Sequence, residues 1–181
     1  MLNKLRDTIS NMLISLIDAN LEDLPENADQ FLRLAKMKHR TGDLTGAVEA
    51  ATTAIRNDSN NGEAFYWRCR AQYDLGETTQ ALHDALRDSK LRCDNSPTFY
   101  MLGNIFLRIE NYAEARNAYS RAIELGDTTA AVYAGRGYAK YGMNSLGAAL
   151  DDLETAKSMG FNSNQLIPYI EDLKLRLGID V

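Results

Sequence analysis

One property of this chain narrows its possible folds more than any other: it repeats itself. Cut into blocks of 34 residues from Ala28, the sequence aligns with itself four times without a gap, over 28–61, 62–95, 96–129 and 130–163. The fourth position of each block is always aromatic: Phe31, Phe65, Phe99 and Tyr133. The eighth is always small: Ala35, Cys69, Gly103 and Gly137. The twentieth is Ala47, Ala81, Ala115 and Ala149, and the twenty-seventh is Ala54, Asp88, Ala122 and Ala156. A block this short cannot bury an apolar face alone, so repeated blocks must stack on one another. Each block reads as two antiparallel helices. Small residues where they cross let the backbones approach, and aromatics fill the space beside them. Gly42 and Gly76 break the chain between the helices of the first two blocks. Glu110-Asn111 and Asn144-Ser145 do so less strongly in the last two. Gly126 and Gly160 are placed to end second helices in a left-handed cap, whereas Asp88, standing for an alanine, puts helix packing there in question.

A second pattern alternates within the first. The seventh block position is Leu34, Arg68, Leu102 and Arg136, and the twenty-third is Ala50, Asp84, Ala118 and Asp152. Arginine occurs only where aspartate follows on the facing helix. An unpaired buried charge costs several kcal/mol, so Arg68–Asp84 and Arg136–Asp152 are read as structural ion pairs.

The ends complete the reading. Leu2, Leu5, Ile9, Met12, Leu13, Leu16, Ile17, Leu21 and Leu24 recur at helical spacing, and Pro25 stops that helix. Three roles stay open for it: capping the array, dimerisation or partner binding, and lying on a membrane surface. Residues 165–177 form another amphipathic helix, with Ser163 or Asn164 as its cap and Pro168 in its first turn, and it is expected to cover the far end. The organisation expected is an N-terminal helix and linker over 1–27, four units over 28–163, and a capping helix over 164–181.

Composition excludes several functions. The net charge is -5, which argues against nucleic acid, since phosphate binding needs a basic face. The longest uncharged run near the N-terminus, 8–17, falls far short of the ~20 apolar residues of a membrane span. With no cleavable leader pattern, the expected location is the cytoplasm. Cys69 and Cys93 form no CxxC pair and are read as reduced thiols. His39 and His83 have no ligand partners at metal spacing, and no phosphate-cradling loop or nucleophile elbow occurs. The chain is therefore expected to be no enzyme and to carry no cofactor and no metal.

Over 28–163 the sequence resembles the tetratricopeptide-repeat family. Phe99, Leu102, Gly103, Phe106, Tyr112, Ala115, Tyr119 and Ala122 carry the clearest copy of that family's pattern, although its usual late proline is absent. The resemblance implies an all-α solenoid, an α-α superhelix of four helix-turn-helix repeats with a flanking helix at each end. It also implies that the first helix of each repeat lines a concave groove. The residues expected there are Lys36, Arg40, Tyr66, Arg70, Tyr73, Tyr100, Asn104, Arg108, Tyr138 and Tyr141, one continuous aromatic and mildly positive face. Tyrosine and arginine are the side chains that dominate binding hot spots. The expected function is a protein-interaction adaptor whose partner is a protein or peptide, acidic in part. Two alternatives are kept: self-assembly, including a homodimer through residues 2–24, and a small secretion-type chaperone. A carboxylate clamp is not expected, because Leu32 and Lys36 stand at its first positions.

Overall fold

The computed structural model describes residues 27–179, which are all helix and short turns. The N-terminal helix expected over 2–24 lies outside them. The chain divides into two compact units, Met1–Leu91 and Arg92–Val181. The first holds α1 (Ala28–Thr41), α2 (Leu44–Asn57), α3 (Gly62–Asp74) and α4 (Thr78–Leu91). The second holds α5 (Ser96–Arg108), α6 (Tyr112–Glu124), α7 (Ala130–Gly142), α8 (Leu146–Ser158) and α9 (Ser163–Leu177). In each unit successive helices pack as antiparallel neighbours.

Local chemistry sets where these helices start and stop. Asn27 opens α1 with a reciprocal cap: its Oδ1 accepts from the Gln30 amide at 3.0 Å, and Gln30 Oε1 accepts from the Asn27 amide at 3.5 Å. Asp43 and Asn61 accept in the same way from Gly46 and Ala64, at 2.9 and 3.0 Å. Five of the exits use a left-handed glycine, Gly42, Gly76, Gly126, Gly160 and Gly178, with φ between 67° and 94°. At the last helix the cap falls one residue earlier than the sequence reading placed it. Asn162 accepts from the Asn164 amide at 3.1 Å and α9 begins at Ser163. Pro168 thus sits in the second turn, where it removes the amide that residue 164 would otherwise receive.

In the first unit the helices meet on small side chains. Ala35, Ala47, Ala51, Ala54 and Ala64 are fully buried, flanked by Leu32 and Phe31. Asp88 is buried as well and engaged, and α4 runs on past it to Leu91. In the second unit Tyr119 fills a notch between two glycines. A Cβ on Gly103 would lie 2.6 Å from its ring, and one on Gly135 would lie 2.4 Å away. Leu153 occupies the equivalent space over Gly137, where a Cβ would meet it at 2.5 Å. Leu166, Ile170 and Leu173 of α9 are buried in one cluster with Leu150 and Leu153 of α8. Among the described residues no helix is long and apolar enough to cross a membrane.

Candidate functional site

The two alternating arginines lie half-buried against buried carboxylates. Arg68 donates from Nε to Asp84 Oδ2 at 2.6 Å and from Nη2 to Oδ1 at 2.8 Å. Arg136 makes the same fork to Asp152, both bonds at 2.8 Å. Such a two-pronged pair fixes orientation as well as charge. The hydrogen bonds to Asp152 hold the Arg136 guanidinium above its usual range although burial works against its charge. Each arginine also reaches back one helix. Arg68 Nη1 donates to Thr52 Oγ1 at 3.2 Å, and Arg136 Nη1 to Ser120 Oγ at 3.5 Å. This third member was missed in the sequence, although a signal was there: the twenty-fifth block position runs Thr52, Leu86, Ser120, Glu154, a hydroxyl only before an arginine-bearing block. The two locks differ in one respect. Lys140 Nζ also contacts Asp152, at 2.7 Å, whereas beside Asp84 stands the His83 ring, Nδ1 at 3.5 Å from Oδ1.

In the first unit the groove positions fall on α1 and α3, and polar side chains pair across the two helices. Lys36 Nζ lies 2.7 Å from Glu63 Oε1, and His39 Nε2 lies 2.8 Å from Asp74 Oδ2. The positive face read from the sequence is therefore narrower here, because Lys36 is neutralised by its neighbour. Arg40 is exposed. Arg70 lies over two aromatic rings, its guanidinium carbon 5.0 Å from the Trp67 centroid and 5.9 Å from that of Tyr66. Trp67 was not among the sequence candidates. It joins His39 edge-on at 5.5 Å and so ties the His39–Asp74 contact to the aromatic platform. Tyr73 is half-buried near the end of α3.

In the second unit the same positions fall on α5 and α7 and have divided roles. Asn104 Oδ1 accepts from the hydroxyl of buried Tyr119 at 2.7 Å, so it supports the core wedge. Tyr100 packs beside that ring at 6.0 Å. Arg108, Tyr138 and Tyr141 instead line an open cleft of about 610 Å³. Its other aromatic walls are Tyr112 of α6 and Tyr169 of α9. Tyr169 meets Tyr138 and Tyr141 edge-to-face, at 4.9 and 5.2 Å. Reading α9 only as a cap concealed this ring. Tyr141 donates to Asp172 Oδ2 at 2.9 Å, and that bond raises its phenol above the usual range. Tyr138 is raised by burial. Gly142 makes room for Tyr112, whose ring lies 2.5 Å from where a Cβ would stand. Glu110, in the turn after α5, and Gln165 of α9 complete the polar edge.

Among the described residues no three His, Cys, Asp or Glu side chains gather to hold a metal ion. Cys69 is buried and Cys93 exposed, both as free thiols, and burial pushes the Cys69 thiol far up. This chemistry favours recognition over reaction: ring faces, forked cations and an open apolar cleft.

Comparison with known proteins bears on the family and the fold. A family model described as tetratricopeptide repeat matches residues 32–97 and 100–159. Among curated proteins no relative matches the sequence. Solved structures resemble it closely in fold at low identity. PilF of Pseudomonas aeruginosa superposes with a TM-score of 0.80 at 18% identity, over 98% of this chain and 81% of that one. YrrB, described as a TPR protein with an unusual peptide-binding site, gives 0.78 at 17%, over 90% of this chain and 84% of its own. MamA from Desulfovibrio magneticus RS-1 gives 0.77 at 19%, over 85% and 87%.

Proposed function

The chain belongs to the tetratricopeptide repeat family, and from that premise we propose that it is a non-catalytic adaptor that holds a segment of a partner protein against its first-helix faces. Each unit offers such a face, on α1 and α3 in one and on α5 and α7 in the other. The observation that carries the reading is where tyrosine and arginine collect. Tyr66, Arg70 and Tyr73 recur along α3 at helical spacing, with Arg70 over the Tyr66 ring, and Arg108, Tyr138 and Tyr141 line one cleft. Rings offer contact area at low entropic cost, and guanidinium forks match carboxylates. The partner segment therefore carries acidic side chains for Arg40 and Arg70, beside apolar or aromatic anchors. That a protein of this fold is described as having a peptide-binding site supports the same use.

The test is capture of the native partner from cell extract. Arg40→Glu with Arg70→Glu should reduce capture sharply while helical content and melting temperature stay nearly constant. Capture by the unaltered chain should weaken as salt rises, since exposed charges are screened over ~8 Å at physiological ionic strength. Undiminished capture by the double variant would remove the first unit's face from consideration. Self-assembly through residues 2–24 would then lead, on the strength of their amphipathic pattern.

A further inference from the structure

The cleft of the second unit holds a side chain that its own backbone disfavours. Among the described residues seven have positive φ, and each lies one or two residues beyond the end of a helix. Five are glycines, which adopt that conformation freely. The sixth, Asn144 at φ 60°, is of a type that tolerates it, and its Oδ1 accepts a hydrogen bond from Arg176 Nη2. The seventh is Glu110, at φ 59°, and glutamate is strained there. Its turn needs the left-handed backbone and not the side chain. Glu110 N donates to Leu107 O at 3.1 Å and Asn111 N to Phe106 O at 2.9 Å. Gly76 closes α3 with the same two bonds, at 3.1 and 2.8 Å. Glycine would thus build this turn at less cost.

What Glu110 adds is an acidic side chain in the lining of a cleft whose other walls include Tyr112, Tyr138, Tyr141 and Tyr169. No hydrogen bond or ion pair among the described residues engages it, whereas Arg108 on the same edge already has an interaction of its own. We propose that the cleft takes a lysine or arginine side chain of the partner segment, its methylene stem along the tyrosine rings and its cationic head at Glu110. Tyrosine faces attract cations, and long basic side chains lay their stems on apolar surface while the head stays polar. A neutral anchor would leave the carboxylate partly covered and unmatched, and an acidic one would meet a like charge. This rests on the adaptor reading and sharpens it: the segment is mixed in charge, acidic toward the first unit and basic at this cleft.

The full-length ¹⁵N-labelled protein, titrated with three acetylated and amidated tripeptides, Ala-Lys-Ala, Ala-norleucine-Ala and Ala-Glu-Ala, decides the matter. The lysine peptide should shift the amide signals of Tyr112 and Gly142 and bind at least about fivefold tighter than the norleucine peptide. Glu110→Gln, which keeps the strained turn and removes the charge, should erase that ratio. Glu110→Gly should erase it too, while raising the melting temperature by about 2–4 °C as the strain is released. A lysine preference that survives Glu110→Gln overturns the proposal, as does tightest binding by the glutamate peptide. Equal binding by lysine and norleucine overturns the basic anchor but leaves the adaptor reading standing. Absence of any shift overturns the cleft as a site, and partner capture through Arg70 then stands or falls by its own test.

Discussion

The two units solve one packing problem with opposite divisions of volume. At the eighth and twenty-fourth block positions, where paired helices cross, the first unit sets Ala35 with Ala51 and Cys69 with Ala85. The second sets Gly103 with Tyr119 and Gly137 with Leu153. All of these are buried. In the first unit both helices contribute a little. In the second one helix gives up its side chain altogether and the other fills the gap, so closely that a Cβ on either glycine would collide with its neighbour. Interiors are packed to near-crystalline density, so where one helix gives up its side chain the facing helix must supply a larger one. The difference reaches the polar side chains too: the large second-unit wedge brings its hydroxyl to Asn104, while Tyr138, Tyr141 and Tyr169 line an open cleft.

The comparison breaks most visibly at the wedge. Tyr119→Ala should cost about 3–5 kcal/mol, because a fully buried ring leaves a cavity between two glycines that cannot close it. In the first unit Ala51→Gly, at the equivalent position, should cost only about 1 kcal/mol through helix propensity. Urea unfolding of both variants checks the contrast, and near-equal losses would show that the two units are packed alike.

The ion-pair locks come next. Removing a partner from a buried pair costs about 3–5 kcal/mol, less where the stranded cation keeps some contact with water. Arg68 and Arg136 keep about a fifth of their side-chain exposure, 18% and 20%, so about 2–3 kcal/mol is expected for Asp84→Ala. Asp152→Ala should exceed it, since Lys140 loses its partner together with Arg136. A smaller loss at Asp152 than at Asp84 would mean that Lys140 finds water instead.

The smallest contrast is in the caps. Asp43 bonds the Gly46 amide, whereas Ser145, at the same turn of α8, makes no side-chain cap bond. Asp43→Ala should cost about 1 kcal/mol and Ser145→Ala close to nothing. Burial works against the Asp43 charge, but the Gly46 amide and Lys38 outweigh it and hold the carboxyl below its ordinary range. A carboxyl with a depressed folded pKa contributes its stability above the unfolded value, and that contribution is lost as pH falls through the folded one. The gap between the original chain and Asp43→Ala should therefore be full at pH 7 and close progressively below about pH 4. Thermal melts across that range measure it.

The repeat register alone was enough to specify an all-helical chain of paired helices, because period, small-residue positions and turn breakers are local and recur. The pairing of Arg68 with Asp84 and of Arg136 with Asp152 was legible for the same reason: alternation in step, sixteen residues apart, places facing positions together. Thr52 and Ser120 carried the same alternation but sit in the preceding block, and single-block reasoning passes over them. The rest needed coordinates. That Lys36 meets Glu63 and His39 meets Asp74 depends on how two non-consecutive helices lie side by side, and no local pattern encodes that distance. That Tyr169 belongs to the cleft depends on which side of α9 faces α7. That Asn104 serves the core follows from where a ring comes to rest once two glycines have made room for it. Sequence periodicity determines which faces are buried, because burial follows hydrophobic spacing. Only the tertiary arrangement decides which polar side chains spend their bonds on each other and which are left to meet a partner.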